Sequence, residues 1–124
     1  MYSITVKGSD NTPSIKFDAK QGTLEIKGRS LPENAAGFYL PMLETVDQYL
    51  KKPLELTRVD IYLDYCNTSS SRHLLRLLRM FKDAENKGNK VVVNWYYEAE
   101  DEEIRDVGKG FQTITGMTFN MEPK

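Results

Sequence analysis

The stretch Arg58-Val59-Asp60-Ile61-Tyr62-Leu63-Asp64-Tyr65-Cys66, followed without a break by Asn67-Thr68-Ser69-Ser70-Ser71, decides the reading of this chain. Val59, Ile61, Leu63 and Tyr65 alternate with Asp60, Tyr62 and Asp64, the period of a strand with one apolar face. Five residues that favour helix entrances come next. Beyond them Leu74, Leu77, Leu78, Phe81 and Ala84 fall on one face of a helix at about 100° per residue, with Arg72, Arg76 and Arg79 on the other. A strand therefore runs through a cap-rich junction into an amphipathic helix, which Gly88 ends.

Outward from this centre, Lys90 to Tyr97 (KVVVNWYY) is a nearly continuous apolar run, as expected of a strand covered on both faces. A last helix is expected from Asp101 to about Thr113, and Met117 to Met121 as an edge strand. Upstream, Met42, Leu43, Val46, Tyr49 and Leu50 recur at helical spacing. This predicts a helix from about Leu40, with Pro41 in its first turn and Lys51-Lys52-Pro53 as its end. Gly28 to Tyr39 has no clean period and reads as a loop or one short helical turn. Tyr2–Lys7, Ser14–Ala19 and Thr23–Lys27 read as strands, the last two joined as an antiparallel hairpin through Lys20-Gln21-Gly22.

Two strand-helix-strand units after a hairpin imply parallel strands with right-handed crossovers. The expected fold is α/β: one domain over residues 1–124, a mixed sheet with an N-terminal antiparallel hairpin and flanking helices. The chain's 124 residues, 40% hydrophobic and 28% charged, suit one core and leave no length for a second.

Composition narrows the function. Seventeen basic and eighteen acidic residues give a net charge of −1, which argues against nucleic acid as a partner. One cysteine, Cys66, and one histidine, His73, supply neither an internal disulfide nor a Cys/His zinc site. No run approaches a membrane span and the polar start lacks a secretory apolar segment, so the expectation is a cytoplasmic protein without membrane insertion. The acidic run Glu98, Glu100, Asp101, Glu102 and Glu103 matches no calcium loop, and acids in a helix's first turn are favoured by its dipole alone; no metal and no cofactor are expected.

Chemistry is most plausible at the Cys66–Ser71 junction. Free amides and the positive helix end favour an anion there, so a hydroxyl at that point suits reversible phosphorylation, although the chemistry alone favours the plainer reading that one Ser or Thr simply caps the helix. His73, five residues past Thr68, points away from that hydroxyl on a helix, which spoils a Ser/Thr-His-Asp arrangement.

The segments GRSLPENAAGFYLPML (28–43), YLDYCNTSSSRHLLRLL (62–78) and VVVNWYYEAEDEE (91–103), in this order and spacing, resemble the SiaC family of bacterial regulatory phosphoproteins. The resemblance implies a fold similar to STAS domains, the group that includes anti-anti-sigma factors, and a role in partner switching. By that likeness the threonine of NTSSS, Thr68, is the phosphoacceptor, acted on by a dedicated protein kinase and a PP2C-like phosphatase. The unphosphorylated form would engage an effector, in the best-understood branch a diguanylate cyclase that it activates, linking the protein to cyclic-di-GMP and to biofilm formation or aggregation.

A parallel pairing of Thr23–Lys27 with Arg58–Cys66 would bring the loop after the first beside Thr68. The expected partner-facing set is then Ser30, Pro32, Glu33 and Asn34 from that loop, Asn67, Ser69, Ser70 and Arg72 from the junction, and Tyr97 and Glu98 from the aromatic-to-acidic strand end. Glu33 and Asn34 would orient the hydroxyl or meet a partner; the plainer reading is a proline-initiated turn with Asn34 bonded to nearby backbone. Two other functions compete with the switch: a small enzyme using the Thr68–Ser71 hydroxyls with Asp64 as base, and a purely structural interaction domain.

Overall fold

A computed structural model describes residues 3–124, so Tyr2 of the first expected strand lies outside the described residues. Strands β1 (Ser3–Val6), β2 (Ser14–Asp18) and β3 (Thr23–Ser30) are followed by helix α1 (Ala35–Leu50) and strand β4 (Leu56–Cys66). Helix α2 (Thr68–Asn86), strand β5 (Lys90–Tyr97), helix α3 (Glu102–Thr115) and strand β6 (Asn120–Pro123) complete the chain. The six strands form one sheet in sequence order, antiparallel from β1 to β3 and parallel from β3 to β6.

Each parallel step is bridged by one helix, and the strands always advance in the same direction. Crossovers of the usual right hand then place all three helices on one side. α1 packs on α2 and α2 on α3. The core lies between these helices and the inward residues of the sheet, among them Ile15, Phe17, Leu24, Ile26, Ile61, Leu63, Val93 and Trp95. Each such side chain contributes on the order of 1.5–3 kcal/mol when fully buried. Trp95 lies against α3 where Gly108 lacks a side chain; an added Cβ would stand 2.6 Å from the indole, whose Nε1 donates to the Ile104 carbonyl at 3.0 Å.

Among the described residues, the opposite face of the sheet carries no helix. This corrects the expectation that β5 is covered on both sides: Val91, Val93 and Trp95 are buried, while Val92, Asn94 and Tyr96 are only half-buried. The open face carries polar pairs, one along β4 and the others between neighbouring strands. Arg58 pairs with Asp60 at 3.2 Å, Asn94 donates to Asp60 at 2.8 Å, and Asn120 donates to Asn94 at 2.9 Å. In the next row Tyr62 and Tyr96 stack at 5.6 Å, with Lys124 Nζ 4.7 Å from the Tyr96 ring.

Two more expectations change near the site. α1 begins at Ala35 rather than Leu40, and Pro41 lies inside it. Burial of Ala35, Tyr39, Met42, Leu43, Val46 and Tyr49 outweighs the backbone bond that proline removes. β3 does not stop at Lys27 but continues through Ser30. There the pairing moves from Gly28–Leu63 to Arg29–Tyr65, so Asp64 is an extra residue in β4. Gly28 at this bulge has φ +127°, a conformation open to glycine. The bulge turns Tyr65 away from the Leu63 face, which is why Tyr65 is 42% exposed although simple alternation predicts it inside.

Candidate functional site

β3 and β4 being parallel, their C-terminal ends share one edge of the sheet, and α1 and α2 both start from it. At this edge Ser30, the last residue of β3, holds the entrance of α2. Its carbonyl accepts from the Asn67 backbone N–H at 3.0 Å and from the Ser70 hydroxyl at 3.2 Å, while its own hydroxyl donates to Ser70 Oγ at 2.7 Å. Asn67 is the N-cap, its Oδ1 accepting from Ser70 N at 2.9 Å. Of the five candidate residues for that role, Asn67 takes it, and Thr68 is the first helical residue.

The four hydroxyls of residues 68–71 therefore have different fates. Ser70 is fully buried, and Ser71 Oγ donates to the Asn67 carbonyl at 3.2 Å and lies 3.4 Å from Cys66 Sγ. Thr68 and Ser69 are exposed. They stand at the positive end of a 19-residue helix whose first turn contains no acidic residue, with exposed Arg72 one turn further along. Such a place receives an anion well, since unpaired amides and the dipole both favour it. Burial pushes the Cys66 thiol above its usual pKa, which keeps it protonated and a poor nucleophile.

The other expected site residues divide by exposure. Ser30, Pro32 and Ser70 are buried, so in this conformation their side chains do not face a partner; Ser30 and Ser70 serve the interior of the site instead. Glu33 and Asn34 are exposed, and Asn34 caps α1 by accepting from Gly37 N at 3.0 Å. Neither is hydrogen-bonded to Thr68 among the described residues, so bonding to nearby backbone accounts for Asn34. Tyr97 is half-buried against the core, and exposed Glu98 accepts from the Tyr62 hydroxyl at 3.1 Å, joining the ends of β4 and β5. In the acidic run Asp101 caps α3, accepting from Ile104 N at 3.0 Å, and Glu102 and Glu103 lie in that helix's first turn.

The sequence reading did not pick out Tyr39. Its hydroxyl hydrogen-bonds Ser30 Oγ, and its ring stacks on His73 at 5.9 Å, so His73 faces α1 and not Thr68. Desolvation raises the Tyr39 phenol to about 12. Helical phase carried a signal for Ser70, which precedes Leu74, Leu77 and Phe81 by 4, 7 and 11 residues and shares their inward face. In β3 the inward alternation of Leu24 and Ile26 reaches Ser30 by the same logic.

Asp64, the base of the enzyme alternative, is the exposed bulge residue and bonds none of these hydroxyls among the described residues. A cavity of about 330 Å³ lies elsewhere, on the open face among Lys16, Asp18, Glu25, Arg58 and Asp60. Among the described residues, no carboxylate or imidazole is hydrogen-bonded to the Thr68–Ser71 hydroxyls.

The family model for SiaC family regulatory phosphoproteins matches residues 6–124. The chain belongs to that family. An uncharacterised protein of Pseudomonas aeruginosa strain UCBPP-PA14 is 28% identical over 125 residues, covering 98% of this chain and 97% of the relative. Among solved structures, apo-SiaC from Pseudomonas aeruginosa superposes with a TM-score of 0.90 at 24% identity, over 98% of this chain and 99% of that one. The SiaC chain type is also matched in the crystal structure of the diguanylate cyclase SiaD in complex with its activator SiaC from Pseudomonas aeruginosa. That match has a TM-score of 0.92 and 25% identity, over 98% of this chain and 99% of the matched one. This SiaC-family chain thus shares the mixed α/β fold of those structures from end to end. Among its described residues, no helix is long and apolar enough to cross a membrane.

Proposed function

We propose that this chain is a non-enzymatic signalling switch of the cytoplasm: unphosphorylated, it binds and activates a diguanylate cyclase. A dedicated protein kinase adds a phosphate to Thr68 to end that activity, and a PP2C-like phosphatase restores it. The observation that carries the reading is the sorting of the four hydroxyls, which leaves Thr68 exposed at the positive end of α2 while Ser70 is buried and Ser71 is bonded inward. Family membership and the solved pairing of a SiaC activator with a cyclase support the choice of effector.

The physical basis is a difference in solvation. A phosphate brings roughly −1.5 to −2 charges at neutral pH. In the free chain, water, the helix amides and Arg72 accommodate that charge, so the fold survives. Inside an interface the dianion loses its water, which costs several kcal/mol unless the partner supplies donors.

The test combines fragment mapping with an activity readout. Incubation with Mg-ATP and extract of the host cells is expected to place phosphate on Thr68, and Thr68→Ala is expected to activate the host's cyclase in a form the extract does not switch off. Phosphate confined to Ser69, or a Thr68→Ala protein that the extract still inactivates, overturns the assignment. Turnover of nucleotides or phosphoesters that tracks the wild-type chain and is lost in Thr68→Ala would favour the enzyme reading.

A further inference from the structure

The entrance of α2 is fixed at two points to a single residue of another element. Ser30 takes the backbone N–H of Asn67 and the side chain of Ser70, which flank Thr68 and Ser69 on either side. Only the two residues between the fixed points face solvent.

Proton counting gives the direction of the hydroxyl chain behind this grip. Ser70 has one hydroxyl hydrogen and spends it on the Ser30 carbonyl; Ser30 spends its own on Ser70 Oγ. Tyr39 must then donate to Ser30 Oγ. The order Tyr39, Ser30, Ser70, Ser30 carbonyl runs from α1 through the end of β3 into α2. All three side chains have 0% exposure, so water cannot substitute for a missing member without entering the core. Among the described residues every buried side-chain polar atom has its partner, so the chain is closed. A high phenol pKa keeps the first donor protonated at physiological pH.

We infer that Tyr39, Ser30 and Ser70 are positioning residues for modification at Thr68: their buried hydroxyl chain holds the 67–70 turn so that the Thr68–Ser69 pair, with Thr68 as the acceptor, faces the kinase while Ser71 stays bonded inward. Capping alone would need only Asn67, whose Oδ1 already takes the Ser70 amide. The added chain fixes the rotation of the first turn about the helix axis, and that rotation decides which hydroxyl faces outward. Losing a link leaves a buried group unpaired and frees the turn to re-bond through Ser69 or Ser71.

The inference rests on Thr68 as acceptor, and its test separates the two ideas. Tyr39→Phe and Ser70→Ala each remove one hydroxyl with almost no change in shape, and both are expected to unfold cooperatively. In amide hydrogen exchange, which needs no kinase, residues 68–71 should exchange at least tenfold faster in each variant, with protection in β4 and β5 unchanged. With Mg-ATP and host extract, the share of phosphate on Ser71, which is bonded inward in wild type, should rise from a few per cent to a third or more. A wild-type chain left unmodified at Thr68 defeats the acceptor assignment and the delivery role with it. Wild-type exchange at 68–71 in both variants, or faster exchange with phosphate still confined to Thr68 at the wild-type rate, overturns the positioning inference alone.

Discussion

The entrances of α2 and α3 solve the same problem with opposite chemistry. α3 starts with a charged cap, Asp101, and two further acids, Glu102 and Glu103, so its exposed amides already face negative charge. α2, five residues longer, starts with the neutral Asn67 and has no acid in its first turn. Its support comes from behind, through uncharged hydroxyls that reach β3 and α1. The difference teaches where a new anion fits: at α3 it would crowd carboxylates, whereas at α2 the positive helix end is still unmatched.

The largest expected effect is on partner binding. Stoichiometric phosphorylation at α2 should weaken cyclase binding by about a hundredfold or more, on the order of 3 kcal/mol. Calorimetric titration of modified and unmodified protein measures it. Equal affinities would remove the functional meaning of the contrast.

Next in size is an alkaline transition that belongs to the α2 side. Tyr39 holds its proton in the folded state to about 12, against an ordinary value of 10.0. Between those values the folded chain binds more protons than the unfolded one, so stability is intact below about pH 10 and falls as pH rises toward about 12. The loss is on the order of 2–3 kcal/mol. Urea unfolding at stepped pH should show it, and Tyr39→Phe should flatten that part of the profile.

A smaller effect distinguishes the cap from the proposed acceptor. Asn67→Ala should cost about 1 kcal/mol, whereas Thr68→Ala, whose hydroxyl does not cap the helix, should cost less than about 0.5 kcal/mol. Thermal unfolding of the two variants decides it, and equal losses would mean that the capping role is shared. Smallest of all, Glu102→Gln and Glu103→Gln should each cost about 0.3 kcal/mol at low ionic strength and almost nothing in 1 M salt. The Asn67→Ala loss should persist in that salt, because its cap is neutral.

Much of this architecture is legible in the chain. The alternation in Arg58–Cys66, the cap-rich NTSSS and the helical stripe behind it give the β4–α2 unit, and the turn at Lys20–Gly22 gives the β2–β3 hairpin. What is harder to read has specific causes. Gly37 and Pro41 interrupt the pattern that begins α1, and only tertiary burial shows that the helix runs through them. β5 looks covered on both faces because valine also suits a half-exposed strand position. Ser30 and Ser70 read as surface residues because burying a polar side chain requires a partner, and the Ser30–Ser70 pair spans 40 residues of sequence. The setting points to the NTSSS junction, and the choice of Thr68 within it rests on the family resemblance, whereas Tyr39's part in the site depends on the packing of α1 against the sheet edge.

The extra residue at Asp64 has a bearing on how relatives of this chain are compared. A strand counts its faces by odd and even, and one inserted residue changes the parity of everything that follows. Without it, Tyr65 would turn toward the helices and Cys66 toward solvent, and the chain would leave the sheet on the wrong side to begin α2 where it does. Removing Asp64 would therefore reverse the aim of the 67–70 turn while deleting nothing from that turn itself. In sequences about 28% identical, a one-residue gap placed at Asp64 is then a statement about geometry, and moving it by a few positions changes which side chains are taken to look outward.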